Sequence, residues 1–572
     1  MPAEEAASCR FMSNLHHPVW GKNLSGEFMN ANPLKRRGGL AAGFLPIFVA
    51  MISGESLAAC VSCDSLMSVS LPRTTVTSAQ LVAAGAFVPP QGVSGAPARE
   101  LRGAKSLPEF CRVQGVSKPS TDSHIEFEVW LPVSGWNGKY QGAGNGGFGG
   151  EINYAEMAAA LVAGNATAST DTGHQGGPTD AKWALGHPEK IADYGHRAIH
   201  ETAVNAKALI RTFYGEAPKR SYFSSCSNGG RQGLMEAQRY PADYDGIISG
   251  APAAHFTRIT AAFDWDLQAM ATDPASHISG RKLPAIEAAA VAACDALDGV
   301  KDGVIDDPAR CTFSPAVLRC AGPESDSCLT ERQIATLQKL YAGPRSSRGE
   351  PFFPGLTPGG ETGPGGWARW VAGPALDSSL QFAFASQAGP YLLHQDPAYS
   401  FRTFNVDRDV RFRDERVGPL LNAVNPDLKA FKRRGGKLIL YHGWSDAALP
   451  PMGTVNYYQS VVAKMSAKSV TDFVRFYMMP GVQHCGGGPG PNEFGTLPAK
   501  QADPSTSVSA ALERWVENGV APDAIIATKY KTNGSPASGV LRTRPLCPYP
   551  QTAQYKGSGS TDEASSFVCK GR

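Results

Sequence analysis

The chain has 572 residues, 42% of them hydrophobic and only 18% charged, with 62 glycines and 43 prolines. That length exceeds one minimal domain, and so loop-rich a composition excludes a long helical bundle. A formal net charge of +3 gives no basis for a nucleic-acid partner, and the Cys60-x-x-Cys63 pair lacks the second pair that a zinc site of that spacing needs.

Residues 1–60 read as an N-terminal extension and an export signal. Lys35-Arg36-Arg37 form a basic start, residues 40–52 an apolar run, and Leu57-Ala58-Ala59-Cys60 a small-residue cleavage region. Met29 would give the signal a conventional length. The apolar run is too short to span a membrane. Leu57-Ala58-Ala59-Cys60 also has the form of a lipobox, in which Cys60 would carry a lipid anchor; the alternative is a soluble secreted or periplasmic protein cleaved near Ala59. Export implies an oxidising compartment, where cysteines pair. Ten cysteines follow Cys60, an even set that fits five disulfides. Short separations suggest Cys294–Cys311, Cys320–Cys328 and Cys547–Cys569, leaving Cys63, Cys111, Cys226 and Cys485 to join distant segments.

From residue 61 to 253 the pattern alternates between strand and helix. Residues 126–132 alternate like a strand, and 139–142 form a second short one. The second runs into the glycine loop 143–150, where backbone can approach a ligand closely. Residues 164–170 follow as a strand ending at Asp171-Thr172-Gly173-His174. Asp193 is placed to cap a helix over 194–214, with Ile199, Ala203, Ala206 and Ile210 on one face. Residues 222–226 then form a strand that enters a glycine-rich turn with Ser227 at its apex, followed by a helix from about Arg231 and a strand at 246–250. Such alternation predicts a mainly parallel sheet covered on both faces. Residues 254–430 break the pattern: they are rich in Pro, Gly, aromatics and Cys, with helical runs at 284–297 and 330–341. The sheet pattern resumes at 436–441 and 472–478. The chain therefore reads as a core in two parts, 61–253 and 431–572, with a lid domain at 254–430 inserted between them.

The turn at Ser227 has the layout of a nucleophile elbow, although Ser225 stands where the usual G-x-S-x-G has glycine. An α/β-hydrolase fold supplies its triad in the order Ser, acid, His. The strand at 436–441 leads to His442-Gly443-Trp444-Ser445-Asp446, and the strand at 472–478 leads to His484. Asp446 and His484 are thus the predicted acid and base for Ser227: His484 takes the hydroxyl proton, and Asp446 holds the imidazole tautomer. His442 is a rival base, but it sits too near Asp446 in sequence for the usual layout. The oxyanion hole would take the amide of Asn228 and one from the glycine loop, at Gly146 or Gly147. A dinucleotide reading of that loop fails for want of a matching βαβ unit.

Cys226 directly precedes Ser227, and Cys485 directly follows His484. A bond between them would clamp nucleophile and base together; the alternative is that each pairs elsewhere or stays free. A second feature is the stretch 295–307, which holds five aspartates in thirteen residues with two Asp-Gly steps. It can converge oxygen ligands on a hard cation such as calcium, although the spacing is not that of an EF-hand, and a solvated acidic turn is the alternative.

Taken together, Cys63-Asp64-Ser65-Leu66, the Gly144-Asn145-Gly146-Gly147-Phe148 loop, the 168–174 segment, Cys226-Ser227-Asn228-Gly229-Gly230, the 442–446 segment and His484-Cys485 resemble the tannase/feruloyl esterase family, which includes bacterial mono(2-hydroxyethyl) terephthalate hydrolases. The resemblance implies an α/β-hydrolase fold with a large lid, a triad of Ser227, Asp446 and His484, and a Cys226–Cys485 bridge. It implies structural calcium in the lid at Asp295, Asp298 and Asp302 with the carbonyls of Val300 and Val304, and it suggests Cys63–Cys111 as the fifth disulfide. It also implies a small aromatic ester as substrate, such as a feruloyl or galloyl ester, with an aromatic clamp in the lid. No arginine near 390–394 matches the family's terephthalate-gripping one, so the resemblance leaves open whether terephthalate monoesters are cleaved. Two other readings are a serine peptidase on the same fold, for which nothing marks a propeller or a peptide-terminus site, and a calcium-stabilised cell-surface binding protein on an inactive hydrolase fold, against which the intact trio weighs.

Overall fold

Nine strands make one sheet: β1 (Thr74–Val82), β2 (Phe110–Ser117), β3 (Ile125–Pro132), β4 (Lys139–Ala143), β5 (Ala166–Thr170), β6 (Arg220–Cys226), β7 (Gly246–Gly250), β8 (Lys437–Gly443) and β9 (Val474–Met479). Their spatial order is β1-β2-β3-β5-β4-β6-β7-β8-β9. The computed structural model describes residues 61–90, 104–271 and 273–571. The predicted export signal and the lipobox at Cys60 lie outside the described residues.

From β5 to β9 every neighbouring pair is parallel, whereas β1, β2 and β3 add an antiparallel edge that runs into β5. Helices cover both faces of the parallel part, so its strands are mostly buried, and every residue of β5 and of β7 is buried. The edge strand β1 instead buries only Val76 and Ala79. On one face Leu209, Ile210, Phe223, Leu234 and Leu440 join the main core; on the other Tyr222, Ile248, Ile439, Leu512 and Trp515 pack together. This is an α/β-hydrolase fold with helical additions.

Among the described residues, the segment between β7 and β8 contributes no strand to this sheet. It has its own core, in which Phe263, Leu267, Ile286, Leu337 and Trp367 pack with Ala447, Ala448 and Leu449 from the loop after β8. Its helix Glu331–Ala342 begins with a Thr330–Gln333 capping box. All ten cysteines from Cys63 onward are paired, as Cys63–Cys111, Cys226–Cys485, Cys294–Cys311, Cys320–Cys328 and Cys547–Cys569.

One helix start differs from expectation. Helical backbone begins at Pro188, passes through a wider turn at Asp193–Arg197 and continues as Ala198–Tyr214. Pro188, with its fixed φ and missing N–H, suits the first helical position. Asp193 therefore lies inside the helical run and accepts from Arg197 Nε at 2.5 Å and Ser123 Oγ at 3.2 Å. The predicted apolar face of Ile199, Ala203, Ala206 and Ile210 is buried, and Gly215 ends the helix at φ 75°. Two C-terminal hairpins, β10 (Ile525–Tyr530) with β11 (Val540–Leu546) and β12 (Thr552–Tyr555) with β13 (Phe567–Lys570), had no counterpart in the sequence reading.

Candidate active site

Ser227 stands between the end of β6 and the helix Asn228–Arg239, with φ 65° and ψ −124°. Non-glycine residues rarely adopt that backbone, and it lifts the hydroxyl above the sheet edge. The elbow is held by Ser227 N–H donating to the Gly250 carbonyl at 2.9 Å. Its glycines are required by packing: a Cβ at Gly229 would come within 2.1 Å of Ser225 Oγ, and one at Gly230 within 2.2 Å of the Gly250 carbonyl. Ser225, the departure from the usual motif, is accommodated because its hydroxyl donates to Glu156 at 3.1 Å. Glu156 also accepts from the Gly144 amide at 3.2 Å, tying elbow strand to glycine loop, and burial pushes its carboxyl up to about 8.

The strand ends deliver the other two members. His484 Nε2 lies 2.9 Å from Ser227 Oγ, and His484 Nδ1 lies 2.8 Å from Asp446 Oδ2. Asp446 Oδ1 accepts from the amides of Ala448 at 2.8 Å and Leu449 at 2.9 Å. Burial alone would raise this carboxyl, but the charge of His484 and the hydrogen bonds of His442 and His484 outweigh burial and hold it well below the usual carboxylate range. A carboxyl held down in this way suits a group that orients an imidazole. The Cys226–Cys485 bridge brings the two neighbouring Cα atoms to 5.9 Å and so fixes the residues beside nucleophile and base.

The expected rival base His442 has a different place. It is buried behind Asp446, with Nε2 3.1 Å from Asp446 Oδ2 and Nδ1 2.7 Å from Thr454 Oγ1, so its ring nitrogens serve the acid side of the triad rather than Ser227.

Asn228 is the first residue of its helix, where the intrahelical ladder leaves N–H groups without acceptors. Its side chain is tied off, with Oδ1 accepting from Arg231 Nε at 2.9 Å and Nδ2 donating to the Asn145 carbonyl at 3.2 Å. The glycine loop is strapped to the elbow helix by Asn145 N–H donating to Gln232 at 3.0 Å. Gly147 has φ 55°, and a Cβ there would collide with the Pro178 carbonyl at 2.1 Å, whereas a Cβ at Gly146 would meet nothing within 4 Å. The Tyr194 hydroxyl lies 3.0 Å from both the Gly147 carbonyl and Asn228 Oδ1, bridging the two predicted donor segments.

A wall of rings borders the triad. Trp370 meets His484 edge to face at 5.1 Å between centroids and stacks on Phe384 at 5.9 Å, and Phe384 meets Phe148 of the glycine loop at 5.1 Å. Trp370 and Phe384 are half-buried, so part of each ring stays accessible. Of the wall, Phe148 was named from the sequence as part of the glycine loop; Trp370 and Phe384 come from the insertion, where the resemblance implied an aromatic clamp but no local pattern among its many aromatics picks them out. A cavity of about 510 Å³ lies elsewhere, lined by Leu449, Thr454, His255 and Phe353 and by none of the triad.

In the acidic loop, Asp295 accepts from the amides of Asp302 and Gly303, Asp298 from Val300 at 2.9 Å, and Asp302 from Val304 at 3.2 Å. Val300 and Val304 are buried. A recess of about 10 Å³, room for one atom-sized guest, is lined by Asp298, Asp302, Val304 and Asp306. Asp306 was not among the predicted ligands. Arg542 and Arg544 of β11 both bind Asp302 and dock the loop on the C-terminal hairpin. The carboxylates are oxygen donors of the kind a hard cation takes, and the Arg544 guanidinium lines the same recess.

The family model for tannase and feruloyl esterase matches residues 111–570. An uncharacterized esterase of Xanthomonas campestris pv. campestris is 42% identical over 536 residues, covering 89% of this chain and 91% of that protein. Mono(2-hydroxyethyl) terephthalate hydrolase of Piscinibacter sakaiensis is 34% identical over 540 residues, covering 82% and 85%. The crystal structure of feruloyl esterase B from Aspergillus oryzae superposes with a TM-score of 0.79 at 29% identity, covering 89% of this chain and 99% of that one.

Proposed function

The chain belongs to the tannase and feruloyl esterase family, and from that premise we propose that it is an exported esterase that cleaves esters of aromatic, phenolic acids. It is a serine-type carboxylic ester hydrolase. The observation that carries the substrate class is the wall of Trp370, Phe384 and Phe148 beside His484. Aromatic rings beside the base, two of them half-buried, favour a flat aryl group through offset or edge contacts.

In the proposed mechanism Ser227 Oγ attacks the ester carbonyl while His484 Nε2 takes its proton. Asp446 stabilises the imidazolium, and the amide of Asn228 with one from Gly146 or Gly147 receives the oxyanion. The intermediate collapses as His484 returns the proton to the leaving alcohol. Water, deprotonated by the same nitrogen, then releases the acid from the acyl-serine.

The test is kcat/KM for methyl ferulate, methyl gallate, a terephthalate monoester and a methyl alkanoate measured side by side. At least one aromatic acid ester should exceed the alkanoate by about tenfold or more, and Trp370→Ala should erase most of that difference. Equal rates on all four would refute the aromatic preference while leaving the esterase in place.

The acidic loop holds structural calcium in this proposal, at Asp295, Asp298 and Asp302 with the carbonyls of Val300 and Val304. Bound there, the ion would offset the clustered carboxylates and join the insertion to the C-terminal hairpin. Removing a ligand that sits about 1,000-fold above its Kd withdraws about 4 kcal/mol. Chelator should therefore lower the melting temperature by about 3–8 °C, and calcium should restore it. An unchanged melt with no metal in the purified protein would count against the site. Export is supported by five disulfides, which persist in oxidising compartments. Because the ten later cysteines pair with one another, Cys60 stays available for a lipid anchor. No described helix is long and apolar enough to cross a membrane.

A further inference from the structure

Two imidazoles converge on one oxygen of the catalytic acid. His484 Nδ1 is 2.8 Å and His442 Nε2 3.1 Å from Asp446 Oδ2. His442 comes from β8 itself, four residues before the acid, and is 1% exposed. Its tautomer follows from its surroundings. Nε2 faces two acceptors, Asp446 Oδ2 and the Leu449 carbonyl, each at 3.1 Å, so this nitrogen carries the hydrogen. Nδ1 is then free to accept from Thr454 Oγ1 at 2.7 Å. With the two amides on Oδ1, the carboxylate receives four donors, and none of its lone pairs depends on water.

We propose that His442 is a positioning residue of the triad, which shares Asp446 Oδ2 with His484 and thereby sets both the angle of the carboxylate and the share of its charge that His484 receives. The proposal rests on the Ser227–His484–Asp446 reading of the active site. It explains why so polar a side chain is buried away from the reacting atoms: an imidazole there must have partners for both nitrogens, and the partners it has are the acid and the groups next to it.

The direction of its effect can be worked out. A carboxylate oxygen that accepts two N–H groups is less basic than one that accepts a single bond. Without His442 the full charge of Oδ2 falls on His484, whose imidazolium form gains. The ionisable groups acting on Asp446 are His442 from β8 and His484 from the loop after β9. Its own loop offers the neutral amides of Ala448 and Leu449, the helix Met452–Met465 the neutral hydroxyl of Thr454, and the insertion the Trp370 ring against His484.

The experiment follows kcat and KM against pH with 4-nitrophenyl acetate for the intact protein and for His442→Leu, His442→Gln, Thr454→Val and Ser227→Ala. His442→Leu should lower kcat by about tenfold to a hundredfold with KM within about twofold, and should move the acid limb of the profile up by about half to one pH unit. His442→Gln, whose amide N–H reaches the Nε2 position, should recover kcat to within about fivefold and return the limb most of the way. Thr454→Val, which frees the ring without removing it, should shift the limb the same way by less. A His442→Leu enzyme within about twofold of the intact one overturns the proposal. So does a loss of kcat in which the limb stays put and His442→Gln does no better than His442→Leu, since that is what a packing defect would give. If His442→Leu fails to fold, Thr454→Val decides: an unmoved limb overturns the proposal. Activity surviving in Ser227→Ala overturns the active-site reading and this proposal with it, whereas an inactive Ser227→Ala beside unaffected His442 variants overturns this proposal alone.

Discussion

Ser227→Ala is expected to lower kcat on any ester substrate by about 10⁶-fold, with the fold and melting temperature unchanged. Ser227 Oγ is the atom 2.9 Å from His484 Nε2, and nothing else at the elbow can take the acyl group: the neighbouring Cys226 is locked in a disulfide and Ser225 Oγ donates to Glu156. What remains after the substitution is the ring wall and the proposed oxyanion donors, and such features alone sustain about 10³–10⁴-fold over water. Single-turnover assays with high enzyme concentration read this residue directly. A variant retaining a tenth of the normal rate would mean that the nucleophile lies elsewhere. Alanine should also be tolerated structurally, although φ 65° remains strained for any side chain.

The second large effect concerns the bridge beside the reacting atoms. Replacing Cys226 and Cys485 together by serine removes a crosslink between residues 259 apart. In the chain-entropy account a loop of that order is worth roughly 5 kcal/mol, less any strain in the native bond. Activity should fall as well, by about tenfold to a hundredfold in kcat at a temperature where the variant is still folded, because His484 loses its tether and a shift of about 1 Å at a reacting centre costs about 10². Urea titration and kcat measured on the native baseline separate the two effects. A double variant with an unchanged midpoint and unchanged kcat would show that the bridge is incidental to both.

The catalytic residues were legible because each stands where a strand ends. Ser227 follows β6, Asp446 follows β8 and His484 follows β9, and strands of this kind announce themselves as short apolar runs bounded by glycine. The cysteines beside two of them needed no geometry to be noticed, only adjacency. Contacts that cross from one part of the chain to another were not legible. The Trp370 ring reaches His484 from more than a hundred residues away, and nothing local separates it from the other aromatics of the insertion. His442 was visible only as a rival base, set aside as too near Asp446 for the usual layout; His484 and not His442 meets Ser227, and the chain turns back after β8 to bring the His442 ring against the carboxylate, a relation the sequence did not suggest.

β1 and β2 went unread for another reason. β1 lies at the sheet edge with an irregular shift in its pairing between Val76 and Ser78, which interrupts the strict alternation that a sequence pattern depends on. Asp193 misled because its type suits a cap, while Pro188 five residues earlier starts the helix better.

The bridge between Cys226 and Cys485 makes a covalent ring of everything from the elbow to the base, the whole segment between β7 and β8 included. A protease that nicks that segment would not divide the molecule: the serine and the histidine would stay linked through their neighbours, on two chains instead of one. The same closure relaxes the constraint on the segment's length. Doubling a loop adds only about 0.6 kcal/mol to the entropy of joining its ends, so the segment can lengthen or be rebuilt while the residues on either side of the bridge stay in register.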